Sequence, residues 1–81
     1  MFDLDINEQN ILSISEDKEV LMEVHGETKT YRPIKNLDDS WDMDVVYQKN
    51  VVYGFSCKNI RELRALLLAN YATGIITKVF F

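Results

Sequence analysis

Residues 59–74 read NIRELRALLLANYATG, and the reading of this stretch decides the fold. It carries a full set of helix signals. Asn59 is a good N-cap, because its side-chain oxygen can accept from a first-turn N–H that lacks a partner inside the helix. Glu62, three residues on, can reach back to the Asn59 N–H and so completes a capping-box pattern. Gly74 suits the position just past the end, where left-handed backbone carries no Cβ penalty. Neither Pro nor Gly interrupts the interior, and Leu, Ala, Arg and Glu favour helix. The pattern predicts a helix over residues 59–73.

At about 100° per residue, Ile60, Leu63, Leu66, Leu67 and Tyr71 form one apolar stripe. Arg61, Glu62, Ala65, Ala69 and Ala72 fall on the other side, with Leu68 among them. The stripe needs a partner surface, and the flanking β-like segments supply it. The Ala-rich back has two readings. It reflects helix propensity alone, or it is a self-association surface built from Ala65, Leu68 and Ala72, with Leu68 as anchor.

Working outward, residues 75–81, IITKVFF, are apolar on both alternating faces apart from Thr77 and Lys78. That predicts a strand inside a sheet, closing the chain after the helix. Upstream, residues 45–48 and 51–55 (VVYQ and VVYGF) predict a hairpin turning at Lys49-Asn50. Residues 20–34 predict a second hairpin that turns at Gly26-Glu27. Its return strand ends at Pro33 or lies at an edge there, because Pro cannot donate to a ladder. Residues 35–44, KNLDDSWDMD, hold four Asp and read as the longest loop. Residues 2–6, FDLDI, alternate strictly and predict a short strand with Phe2, Leu4 and Ile6 inward. Residues 11–15 predict another, with Leu12 and Ile14 inward. The expected fold is α+β: an antiparallel sheet of four to seven short strands, one helix packed on one face, and a strand after it.

The chain has 81 residues, enough for a single domain over residues 1–81. It is 47% hydrophobic and 27% charged, ordinary values for a folded protein. Net charge is −4, unevenly placed: residues 1–27 carry eight acids against one base, and residues 28–81 eight bases against five acids. A nucleic-acid coat needs a basic face to neutralise phosphates, so direct nucleic-acid binding is not expected. One Cys excludes an internal disulfide. No apolar run approaches a membrane span, and MFDLDINEQN lacks a signal-peptide layout, so a cytoplasmic protein without membrane attachment is expected.

The most informative polar stretch is Asp38-Asp39-Ser40-Trp41-Asp42-Met43-Asp44. Four carboxylates around a Trp could imitate nucleic-acid phosphates and anchor on a basic partner, since Trp is enriched at interface hot spots. Asp3 and Asp5 form a second acidic strip. Alternatively the loop is solvated and its Trp folds back on the core. A calcium loop lacks support, because the required Gly and twelfth-position Glu are missing. His25 reads as a surface residue of a hairpin. Cys57 reads as a small buried apolar group, although a nearby helix N-terminus and Lys58 can lower a thiol pKa. Lys58, Arg61 and Arg64 make a basic corner that opposes the helix dipole, and pairing with acids of a nearby strand would explain it. Phosphate loops, HExxH, paired Cys clusters and GxSxG are absent.

No cofactor, metal or catalytic set is implied. The expected function is binding to another protein with a basic surface, as an inhibitor, an immunity or antitoxin-type partner, or a regulator of bacterial or phage type. The alternative is a self-associating structural module, such as a homodimer, using the helix back or an open sheet face. A small enzyme or metal protein using His25, Cys57 or the Asp loop ranks third.

Overall fold

The computed structural model describes residues 3–81, with the backbone only at Tyr53. In order these residues form α1 (Ile6–Leu12), β1 (Val20–Val24), β2 (Glu27–Lys35), β3 (Trp41–Tyr47), β4 (Asn50–Cys57), α2 (Ile60–Ala72) and β5 (Ile76–Phe80). The strands make one antiparallel sheet in the order β4-β3-β2-β1-β5. The fold is α+β, with a strand after the long helix as the sequence predicts.

The α2 caps are largely those read from sequence. Asn59 accepts from the Glu62 N–H at 2.9 Å, and Gly74 takes φ +82°. Leu63 and Leu67 are buried, while Ile60, Leu68 and Tyr71 pack at the core margin. The stripe is turned slightly from its expected position. Leu66 is 42% exposed and Leu68 faces inward, because α2 packs on α1 as well as on the sheet.

The strand expected over residues 2–6 is not formed in its described part. Phe2 lies outside the described residues, and Leu4 and Ile6 are exposed. Asp5 is instead the N-cap of a second helix, α1. Its carboxylate accepts from the Glu8 N–H at 2.8 Å, and its own N–H donates to Glu8 Oε1 at 3.3 Å. This reciprocal box satisfies two donors and outweighs a five-residue alternation. The strand expected over residues 11–15 is also replaced. Ile11 ends up buried in α1, Leu12 is exposed, and Ile14 is buried in the connection that follows.

The long loop expected over residues 35–44 shrinks to residues 36–40. Trp41, Met43 and Val45 are buried, and Asp42, Asp44 and Val46 alternate with them on the other face. The aspartates are therefore the wet half of a period-two strand. Pro33 sits on β2 opposite Met43, beyond the last β1 pair at Val20 and Tyr31, so it lies at a local edge.

The two tight turns fall one residue earlier than predicted. His25 (φ 51°) and Gly26 (φ 79°) connect β1 to β2, and Gln48 (φ 53°) and Lys49 (φ 68°) connect β3 to β4. Positive φ at both central residues gives the twist that a right-twisted hairpin needs. β5, expected inside the sheet, lies at its edge. A bulge beside Glu23 and Val24 lets both Ile76 and Val79 reach the core. The core gathers Ile11, Ile14, Met22, Tyr31, Met43, Leu63 and Val79 between the helices and one sheet face. The other face has no covering element among the described residues.

Candidate functional site

The open face can be read row by row from the strand register. Ile34, Asp42 and Ser56 lie side by side, then Arg32, Asp44 and Gly54, then Phe80, Leu21, Thr30 and Val46. Asp38 and Asp39 sit in the turn at the Asp42 end. The four acids expected in one loop thus gather at one end of the sheet, partly on a turn and partly on a strand.

Each is held differently. Asp38 accepts from the Ser40 hydroxyl at 2.6 Å and the Ser40 N–H at 3.0 Å. These two bonds, the hydroxyl first, hold its carboxyl below the usual carboxylate value. Asp39 adopts φ 68° and lies 3.9 Å from Lys35 Nζ. Asp42 accepts from the Ser56 hydroxyl at 2.6 Å. Asp44 packs across Gly54, where an added Cβ would stand 3.1 Å from its Oδ1. Arg32, the cross-strand neighbour of Asp44, turns instead to Glu19 at 3.1 Å. Among the described residues, only Asp39 of these four acids meets a base, and only at long range.

Trp41 does not stand among the carboxylates. It is 8% exposed and belongs to the core on the opposite face of β3. Asp3 is exposed. Asp5 is occupied, since it caps α1 and accepts from the Tyr71 hydroxyl at 2.5 Å. The Tyr71 bond first, and the Glu8 N–H second, depress the Asp5 carboxyl; the same bond to Asp5 raises the Tyr71 phenol. On the helix back Ala65, Ala69 and Ala72 are exposed, but the expected anchor Leu68 packs inward.

Compared with known protein families, curated proteins and solved structures, the chain matches none.

The remaining candidates have structural surroundings. His25 is exposed in its turn, and its N–H donates to the Ile75 carbonyl at 3.2 Å. Cys57 is buried, and burial first, then the Glu62 charge, pushes its thiol up, away from thiolate reactivity. The basic corner does not pair with strand acids as expected. Arg64 reaches the Ile14 carbonyl at 3.4 Å, with its Nε buried and unpartnered, while Lys58 and Arg61 are exposed. Among the described residues, no three His, Cys, Asp or Glu side chains converge on a metal position. No helix there is long and apolar enough to cross a membrane.

One feature escaped the sequence reading. An apolar cleft of about 260 Å³ opens between the C-terminal half of α2 and the sheet, lined by Met22, Val24, Phe55, Leu66 and Ile75 among others. Its polar lining includes Asn70, which donates to the Leu66 carbonyl at 2.9 Å. The only sequence signal for it was Leu66, one Leu too many for a stripe centred on Leu63 and Leu67.

Proposed function

We propose that this protein acts by binding another protein with a basic surface, through the acidic end of its sheet. The observation that supports this is the gathering of Asp38, Asp39, Asp42 and Asp44 at one end of the open face, where among the described residues Lys35 alone pairs with one of them, at 3.9 Å, and Arg32 turns to Glu19 instead. Carboxylates in excess over bases on a turn and its following strand attract a basic partner at long range and fix its register on contact. The flanking Leu21, Val46 and Phe80 add apolar area to the same face. Trp41 serves this reading from beneath, by packing β3 against the core. Asp3 remains available as a secondary acid, whereas Asp5 is committed to its cap. The protein would act by occlusion, as an inhibitor or regulator of a cytoplasmic target, without catalysis.

The test is a pull-down with the purified protein at about 0.05 M and about 0.5 M NaCl. A variant carrying Asn at positions 38, 39, 42 and 44 runs alongside. Asn keeps one oxygen acceptor at each position, turns the other oxygen into an amide donor, and removes the charge. The wild type should hold a basic protein at low salt and release it at high salt, and the variant should hold none. Equal retention by both forms at both salts would overturn the proposal.

A further inference from the structure

The two edges of the sheet are finished differently. At β5 the Val79 N–H donates to Asn7 Oδ1 at 2.9 Å, and the Val79 carbonyl accepts from Asn10 Nδ2 at 2.7 Å. α1 lies along this edge and contributes Asp5 and Glu8 to its charge. A strand seeking to pair there would have to displace both amides. At β4 the side-chain bonds run elsewhere, from Asn50 to the Gln48 carbonyl and from Ser56 to Asp42. Neither of these bonds caps an outer main-chain group of β4.

β4 reads NVVYGFSC, eight residues without a charge or a Pro. Edge strands are ordinarily blunted by such residues, because unpaired main-chain groups template further pairing. The register skips Val52, which is a bulge, and leaves residues 53–57 in regular pairing with β3. Val51 and Val52 are both about half exposed.

We propose that β4 pairs antiparallel with β4 of a second copy over residues 53–57, joining the two sheets edge to edge. A strand that pairs with itself across a two-fold axis is its own complement, so no second sequence is needed. Centred on Phe55, the pairing sets Phe55 against its counterpart, Gly54 against Ser56, and Val52 against Lys58. Over residues 52–58 no like charges face each other in this register, and an aromatic cross-strand pair forms at the centre. Phe55 is half-buried at the mouth of the apolar cleft, beside exposed Leu66, so its counterpart would cover apolar surface that one copy leaves wet. The occupant is a second copy because β4 is neutral, while the other edge is both capped and acidic.

Sedimentation equilibrium across the micromolar to submillimolar range tests this. The wild type should approach twice the 9.5 kDa chain mass, with amide exchange at residues 53–57 slowing as concentration rises. Val52→Lys places like charges opposite Lys58 at two symmetric positions, and Val52 has no β3 partner to lose. It should weaken the dimer about two- to thirtyfold, the scale of two like-charge cross-strand contacts, with the circular dichroism spectrum unchanged. Adding Lys58→Glu to Val52→Lys should restore dimerisation. A wild type that stays monomeric throughout overturns the proposal. So does a dimer that Val52→Lys leaves intact.

Discussion

Asp5 shows how one carboxylate can be used up by structure. It caps α1, closes a capping box with Glu8, and receives the Tyr71 hydroxyl from α2. The signal was in the sequence, since Asp-x-x-Glu before an Ile is a helix start, yet the alternation of FDLDI read more strongly as a strand. The distant Tyr71, brought in by the tertiary fold, adds a further bond to the Asp5 carboxylate beyond the capping box. The folded carboxyl titrates below its ordinary 3.8, so its contribution is complete above that value and lost as pH falls through the lower, folded value. The raised Tyr71 phenol works the other way: its contribution is complete below the ordinary 10.0 and lost as pH rises through the higher, folded value. Urea midpoints measured across acid pH should therefore fall for the wild type. Asp5→Asn keeps the cap acceptor but removes the charge. It should lower the neutral midpoint and shrink the acid-induced fall. An unchanged pH slope in this variant would remove Asp5 from the account.

At the scale of elements, the sequence was most legible where caps and periodicity agreed, as in α2 and the β1–β2 hairpin. It was least legible where polar residues did strand work. Asp42 and Asp44 alternate with Trp41, Met43 and Val45, but an Asp-rich string reads as loop unless one strand face is known to be wet. That misreading also placed Trp41 beside the acids, when the pleat sends it to the other face. The β3–β4 turn carries its own cost. Gln48 and Lys49 both take positive φ without Gly or Asn, and left-handed backbone costs an ordinary residue about 1–2 kcal/mol. Replacing them with Asn-Gly should stabilise the hairpin by about 1 kcal/mol, after allowing for the extra freedom of Gly in the unfolded chain. For a domain of this size that is a rise of about 4–8 °C in the melting temperature. A fall would show that the Lys49 side chain contributes more than its backbone costs.

For the whole molecule, the question is whether its charges hold it together or push it apart. The ion pairs among the described residues are Lys29–Glu27, Arg32–Glu19 and Lys35–Asp39, and each has at least one well-exposed partner. Such pairs contribute about 0–1 kcal/mol and are screened by salt. Against them stands a net charge of −4, with eight acids and one base in residues 1–27. That third of the chain supplies α1 and β1, and although α2 packs on α1, Arg64 reaches the Ile14 carbonyl rather than one of these acids. Asp38, Asp42 and Asp44 add carboxylates that form no ion pair among the described residues. Repulsion among unpaired acids should therefore outweigh attraction in the few surface pairs. Raising NaCl from about 0.05 to about 0.5 M shortens the screening length from about 14 to about 4 Å, so the thermal midpoint should rise over that range. The variant with Asn at positions 38, 39, 42 and 44 starts with less repulsion and should rise less. If the wild type instead loses stability as salt is added, its ion pairs outweigh its acid excess. The acidic end of the sheet would then be balanced at longer range by the rest of the chain, with less field left to attract a basic partner.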